Sequence, residues 1–383
     1  MDIRRVGDYG IGTYVRNIVR QLARLDSKNS YLLIGHREHF EQFGALPGNF
    51  QLLEYFADPG SFQTHLHLPF VLRRHSVDLL HMPWFYAPAF VPARMVITVH
   101  DLVDLIYPPH PGPQVAQAAR PWFARRALRK AGRVITVSQS TAREISRVFE
   151  IADSKISVLY DAVDEEFTSA PLPEDGDRIQ ERLAVNYPYV LYAGRVGPQK
   201  NLARLIEAFA VAKAELSGQR EFADLKLVLI GDELGRHADL RRAVIRSRLR
   251  ENFRFLGFVP LHVLRVFYSR AKAFLFPSLY EGFGLPPLEA MAHGAPVVAS
   301  NVSSLPEILG DAALLVNPEN VFEIARGIQR VLTDDSLRRD LIERGYDQVR
   351  RYSWERTARQ LLEIYEETSK EGKTRGVSET PRS

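Results

Sequence analysis

Two carboxylates and two cations, set at short fixed spacings, carry the most specific chemistry legible in this chain. The acids are Glu281 and Glu289, in Tyr280-Glu281-Gly282-Phe283-Gly284-Leu285-Pro286-Pro287-Leu288-Glu289. The bases are Arg195 and Lys200, in Gly194-Arg195-Val196-Gly197-Pro198-Gln199-Lys200-Asn201. Fixed cations just before a helix start suit a diphosphate whose charge rises as a bond to it breaks. Carboxylates beside them can accept hydrogen bonds from sugar and ribose hydroxyls. Plainer readings exist for both: Arg195 and Lys200 as solvated surface charges, Glu289 as an acid placed early in a helix to favour its dipole. Gly282 and Gly284 allow a closely approached loop, Pro286 or Pro287 suits a first helical turn, and Gly294 suits its end.

Two further elements are less specific. Gly10-Ile11-Gly12-Thr13-Tyr14 opens a helix, where glycines and free N–H groups could meet a phosphate, or simply form a tight turn. His100 ends the apolar run Thr98-Val99-His100, a strand-end position open to either a structural or a catalytic histidine.

These motifs need a frame that holds strand ends together. Apolar runs at Tyr31–Gly35, Val77–His81, Met95–His100, Val134–Ser138 and Ile156–Tyr160 read as buried parallel strands, with a helix on Val15, Ile18, Val19, Leu22 and Leu25. Residues 169–177 read as an exposed linker rich in Pro, Gly and acids. The alternation restarts with strands at Val190–Ala193, Leu227–Ile230, Phe253–Leu256, Ala273–Phe276, Val297–Ala299 and Ala313–Val316. Asn201 is a plausible N-cap for a helix on Leu202, Leu205, Ile206 and Phe209. Further helices fall near 320–332, 335–349 and Trp354 to about Glu367, before a polar tail expected to be disordered. Repeated βα units on both sides of a linker predict an α/β protein of two doubly wound domains facing across a cleft. The expected boundaries are 1–168, a linker at 169–185, 186–351, a C-terminal helix at 352–368 and a tail at 369–383.

The 383 residues suit two domains, and 45% hydrophobic with 25% charged residues is ordinary globular usage. With no cysteine, disulfides, thiolate metal sites and catalytic thiols are excluded. No apolar run is long enough to span a bilayer, and no secretory leader is seen, so the expected location is cytoplasmic. The net charge of +4 is compatible with anionic partners and selects none.

From Glu281 through Pro318 the chain resembles the retaining glycosyltransferase family 4 (glycosyl transferases group 1), whose architecture is GT-B, two Rossmann-like domains. The Glu-(seven residues)-Glu signature of that family stands here as Glu281 and Glu289. The resemblance extends over Gly10–Tyr14, the stretch ending at His100, Val134–Thr141, Gly194–Asn201, Ile230–Asp232 and Asn252–Pro260. It implies transfer of a hexosyl group from a nucleotide sugar to an acceptor with retained anomeric configuration. Arg195 and Lys200 match the diphosphate-binding cations, and Glu289 the acid that binds the ribose. Glu281 and the backbone of Gly282, Phe283, Gly284 and Leu285 match the group holding donor sugar and phosphate. His100 matches a first-domain histidine near the transferred sugar, and Gly10 and Gly12 the loop that closes on the donor. The resemblance implies no metal and no cofactor, the nucleotide sugar being a substrate, and it does not imply a covalent carboxylate nucleophile.

Two departures stand out. Met1-Asp2-Ile3-Arg4-Arg5 already looks like the family's Asp-x-Arg element, so the first strand is nearly absent. That predicts an exposed neighbouring strand edge and a reduced core, and either an upstream start or a damaged chain. Tyr160-Asp161-Ala162-Val163-Asp164 stands where the family often has Asn-Gly before Val-Asp. A non-catalytic homologue acting as partner subunit or relic is therefore a competing expectation, and a sugar-nucleotide epimerase a weaker one.

The acceptor, a glycan or lipid-linked glycan, is expected against the first domain near His110, Pro111, Pro113 and the basic stretch Arg120–Arg133. That stretch could lie on an anionic membrane, which would give peripheral contact with the inner face of the plasma membrane. The favoured reading is a domain helix with Trp122, Phe123 and Leu128 packed inside and its arginines solvated. Nucleic acid is not an expected partner. Ser303-Ser304-Leu305-Pro306-Glu307 and Gly310-Asp311-Ala312-Ala313 are similar to bacterial polysaccharide mannosyltransferases. GDP-mannose is thus the first expected donor, ahead of UDP-glucose and related UDP-hexoses.

Overall fold

The computed structural model describes residues 1–88, 90–107, 114–168, 173–231 and 237–370. His110, Pro111, Pro113, the linker at 169–172 and the tail from 371 lie outside the described residues. The chain divides into two α/β units, one of Met1–Asp161 with Ser353 onward, the other of Ala162–Tyr352.

The first unit holds β1 (Tyr31–Gly35), β2 (Phe50–Glu54), β3 (Leu79–Met82), β4 (Arg94–Val99), β5 (Arg133–Thr136) and β6 (Ile156–Val158). Strands β3 to β6 form one parallel sheet in chain order, and β1 pairs in parallel with β2. Between these sheets lie Met1–Ile3. Asp2 N–H donates to His81 O in β3 at 3.1 Å, Ile3 N–H to Ile34 O at 2.8 Å and Ile34 N–H to Met1 O at 2.9 Å. The expected exposed strand edge is therefore corrected at these residues. A few residues suffice because a parallel segment bonds to both neighbours at once, and Ile3 is fully buried. Strand β2 went unrecognised in the sequence because it is a half-exposed edge whose residues do not form a continuous apolar run.

Helix Trp354–Lys370 belongs to the first unit, not to a separate segment. Tyr365 Oη lies 2.5 Å from His81 Nδ1, Thr357 Oγ1 donates to Tyr160 O at 2.6 Å, and Arg94 donates to Thr368 O at 3.0 Å. In helix Gln114–Lys130, Leu128 is buried as expected, but Trp122 and Phe123 are exposed. The inward placement of these two rings is thus corrected. The positions on this helix that turn inward include Ala124, Ala127 and Leu128.

The second unit holds β7 (Tyr189–Gly194), β8 (Lys226–Gly231), β9 (Phe253–Gly257), β10 (Ala273–Phe276), β11 (Val297–Ser300) and β12 (Ala313–Val316). All pair in parallel, in the spatial order β12-β11-β10-β7-β8-β9. Every residue of β10 and β11 is buried, as continuous apolar runs covered on both faces require. The order reverses between β7 and β10, where succession to β8 and β9 runs one way and to β11 and β12 the other. At 173–177 the structure has a helix, Pro173–Arg182, in the stretch expected to be an exposed linker. A proline costs nothing at a first helical position, and the helix is held by Arg270, whose guanidinium pairs with Asp177 at 2.7 Å.

Candidate active site

In an open parallel sheet, ligands bind beyond the carboxyl ends of strands where the strand order reverses. Here those ends belong to β7 and β10, and they lead directly into the two motifs richest in chemistry. The loop after β7 carries Arg195 and Lys200; the loop after β10 carries Glu281. Lys200 Nζ donates to Glu281 Oε1 at 2.5 Å, with both side chains mostly buried. The ammonium also lies 5.2 Å from the centre of the Phe276 ring. Arg195 is exposed and makes no ion pair among the described residues, while its carbonyl accepts from Tyr192 Oη at 3.0 Å.

The β7 loop is tied to its neighbours by backbone and amide groups. Leu279 N–H donates to Gln199 O at 2.7 Å, and Asn201 Nδ2 donates to Pro277 O at 3.0 Å and Pro318 O at 2.7 Å. Asn201 does precede helix Leu202–Glu215, but its side chain does not cap it. It adopts φ 60° and bridges the loops after β7, β10 and β12 instead.

The Glu281 loop is clamped by two serines, Ser303 and Ser304, to which the sequence alone assigned no contact. Ser303 Oγ donates to Glu281 O at 2.6 Å and accepts from Glu281 N–H at 3.2 Å. The buried Ser304 hydroxyl lies 3.0 Å from Glu281 O and 2.9 Å from Phe283 O. Ser303 holds a left-handed backbone, φ 60°, uncommon for a serine. The signal for this clamp was their place after β11, the strand beside β10. Phe283 is buried against Tyr352, ring centres 5.5 Å apart, so it anchors the loop through its side chain. Gly284 has φ 113°, and a Cβ there would lie 2.7 Å from Leu305 Cδ2. Leu285 then starts helix Leu285–Ala292. Because Pro286 and Pro287 have no N–H, the first turn offers few donors besides Leu285, and the rest must come from the loop before it.

Glu289 follows one turn later. It keeps some exposed surface, yet loss of hydration pushes its carboxyl up to about 7, against a hydrogen bond from Tyr268 Oη at 3.0 Å that favours ionisation. The nearby Asp164 charge adds to the rise. Tyr268 in turn is held well above its ordinary value, first by burial and then by Glu289. The two glutamates thus differ in kind: one is neutralised by an ammonium, the other hydrogen-bonded by a phenol and poised near neutral pH.

The remaining candidates lie in the first unit. His100 follows β4, and burial, with Arg5 adding to the effect, pushes its imidazole down to about 3. Its Nε2 is buried and has no hydrogen-bond partner among the described residues, so the hydrogen bond to the Pro83 carbonyl falls to Nδ1, which donates. His100 is therefore a neutral ring with an open acceptor at Nε2, and its edge-to-face contact with Tyr14, 4.9 Å between centres, fixes the ring plane. Gly10 precedes helix Ile11–Leu25 with φ 64°. Gly12 has a structural reason of its own: a Cβ would collide with the Val6 carbonyl, and its N–H is bonded to Asp8 O at 3.0 Å.

Sequence reasoning also left Asp2 and Arg4 without a task. Arg4 Nη2 pairs with Asp2 Oδ2 at 2.5 Å, both side chains essentially unexposed, and Arg4 also donates to Thr64 Oγ1 at 2.9 Å and to the Ala57 carbonyl. The pair fixes the Met1–Arg5 segment under the Tyr55 ring, 5.0 Å from the guanidinium.

The chain is similar to proteins of known family and fold. The family described as glycosyl transferases group 1 matches residues 174–348, and glycosyltransferase family 4 matches residues 9–167. O-antigen chain mannosyltransferase B of Escherichia coli is 33% identical over 304 residues, covering 77% of this chain and 75% of that protein. The serotype-specific mannosyltransferase WbdA of Escherichia coli is 33% identical over 282 residues, 71% of this chain, which spans only about a third of WbdA (33%). The crystal structure of Anabaena HepE in complex with UDP-glucose superposes with a TM-score of 0.74 at 18% identity, covering 96% of this chain and 98% of that one.

Proposed function

Because the chain belongs to the glycosyl transferases group 1 and glycosyltransferase family 4, we propose that it moves a hexosyl group from a nucleotide sugar to a glycan or lipid-linked glycan, with retention of configuration. The observation that carries the reading is the meeting of Lys200 and Glu281 where the strand order reverses. The mannosyltransferase relatives favour GDP-mannose as donor, and the UDP-glucose complex of HepE keeps UDP-hexoses next in line.

In this reading the acceptor hydroxyl oxygen bonds to the anomeric carbon as the bond from that carbon to the diphosphate oxygen breaks. The hydroxyl proton passes to the departing phosphate on the same face. Arg195, Lys200 and the start of helix Leu285–Ala292 stabilise the departing charge. Glu281 orients the donor sugar, and Glu289 accepts from the ribose hydroxyls. The glycosidase alternative needs two carboxylates flanking one bond, one as acid and one as nucleophile. Glu281 is committed to Lys200 and Glu289 to Tyr268, which argues against that division of labour. No metal or cofactor is invoked for the step.

A donor panel followed by thermal shift tests the reading. Binding raises apparent stability by mass action, and GDP-mannose is expected to give the largest shift. If neither GDP- nor UDP-linked sugars stabilise the chain, the reading is overturned.

The ionisation of Glu289 makes a second prediction. A carboxylate accepts ribose hydrogen bonds better than the protonated acid, so donor affinity rises by about tenfold from about pH 6 to about pH 8 and then levels. Glu289→Gln flattens that profile; a parent profile already flat across this range argues against the ribose assignment. Stability runs the other way. Folding raises this carboxyl from 4.5 to about 7, so its contribution is complete below the lower value and is lost as pH passes the upper one.

A further inference from the structure

Lys200 stands beyond the end of β7, in a loop that contains Gly194 and Gly197, and carries its charge on a long flexible stem. Such an ammonium samples many positions unless its own Cα is fixed against the loop that bears Glu281. The next residue supplies that fixation. Asn201 holds a left-handed backbone, φ 60°, which asparagine enters more readily than most side chains. With it the chain passes from the tight turn Pro198–Lys200 into helix Leu202–Glu215.

The Asn201 amide uses both of its donors. Nδ2 donates to Pro277 O at 3.0 Å and to Pro318 O at 2.7 Å, while Oδ1 accepts from Arg204 Nη1 at 3.1 Å. Arg204 Nη1 also donates to Pro318 O at 3.2 Å. Pro277 directly follows β10 and Pro318 lies just past β12, so one side chain ties three strand ends. Consecutive residues of one loop meet consecutive residues of the other. Lys200 Nζ lies 5.2 Å from the centre of the Phe276 ring, and Asn201 bonds the carbonyl of Pro277. The residue before them, Gln199, accepts from Leu279 N–H at 2.7 Å, on the same loop as Glu281.

We propose that Asn201 is a positioning residue for the transfer, holding Lys200 at Glu281 where the diphosphate charge develops. The inference deepens the transferase reading and rests on it. Asparagine combines three properties here: tolerance of the left-handed backbone, two N–H donors and a short side chain. Aspartate offers no donor, glutamine sets its amide one methylene further out, and glycine has no amide to offer. An ordinary helix cap is not its task, because the side chain caps nothing in helix Leu202–Glu215.

The test combines kinetics with chemical labelling of the full chain. Asn201→Gly keeps the left-handed backbone and removes the amide. It lowers turnover by about 10–10²-fold, the cost of a misplaced stabiliser, and leaves donor KM nearly unchanged because the ammonium still neutralises Glu281. On a Lys200→Ala background the same substitution costs almost nothing more, since the group it positions is gone. Asn201→Asp keeps the shape, faces both carbonyls with an acceptor and lowers turnover likewise; it carries the test should the glycine variant not fold. Labelling does not depend on activity. A water-soluble acetylating reagent modifies the mostly buried Lys200 slowly in the parent and about tenfold faster in either variant, read by peptide mass spectrometry. Parental turnover in the variants, a loss that adds in full to that of Lys200→Ala, or acetylation of Lys200 at the parental rate overturns the proposal. A parent that transfers no sugar from any nucleotide donor overturns the transferase reading instead, and the acetylation rates then still decide whether Asn201 holds Lys200 in place.

Discussion

Lys200→Ala lowers turnover by about 10²–10³-fold, the loss that follows removal of one preorganised stabiliser of a developing anion. The structure adds a second cost. Lys200 is held 2.5 Å from Glu281 with little solvent around either group, so alanine also leaves an unpaired carboxylate beside the diphosphate position. Donor KM therefore rises together with the fall in kcat. Arg195→Ala lowers turnover by about the same 10²–10³-fold but spares KM more, since the exposed guanidinium pairs with no carboxylate among the described residues. Adding Glu281→Gln to Lys200→Ala recovers part of the donor affinity by removing the repulsion. Steady-state kinetics on the four proteins decide the matter. Near-parental turnover in both single variants would sink the proposed leaving-group role.

Arg4→Leu destabilises the first unit by about 3–5 kcal/mol, because it strands the fully buried Asp2 carboxylate without its partner. Thr64 and the Ala57 carbonyl lose a donor in the same step. The double variant Asp2→Asn with Arg4→Leu recovers part of the loss, since no buried charge is then left alone. All three tryptophans, Trp84, Trp122 and Trp354, lie in the first unit, so tryptophan fluorescence in urea, excited where tyrosine does not absorb, reports that unit alone. A single variant within about 1 kcal/mol of the parent would show that the pair adds only what a surface ion pair does.

Most strands were legible because a parallel strand covered on both faces must be apolar at nearly every position, as β10 and β11 are. The elements that escaped are those whose stability is not local. Strand β2 is a partly exposed edge, Pro173–Arg182 is held by Arg270, and Met1–Ile3 is held by two neighbouring strands. The inward placement of Trp122 and Phe123 failed for a related reason. Large aromatic rings are usually buried, so a helix that turns small alanines inward and rings outward defeats an expectation built on residue type.

By itself the sequence determined the kind of chemistry: two cations after one strand, two carboxylates after another, and a frame of βα units that puts strand ends to use. It did so because residue types and short-range periodicity are local properties. Only the tertiary structure decided which of these groups meet. Lys200 and Glu281 are 81 residues apart and become an ion pair because β7 and β10 are neighbours, a strand order that no local pattern encodes. The same packing raises Glu289 toward neutrality, lowers His100 out of the physiological range and leaves Nε2 as an open acceptor. Those differences in charge state come from lost hydration, which exists only once the chain has folded around the group.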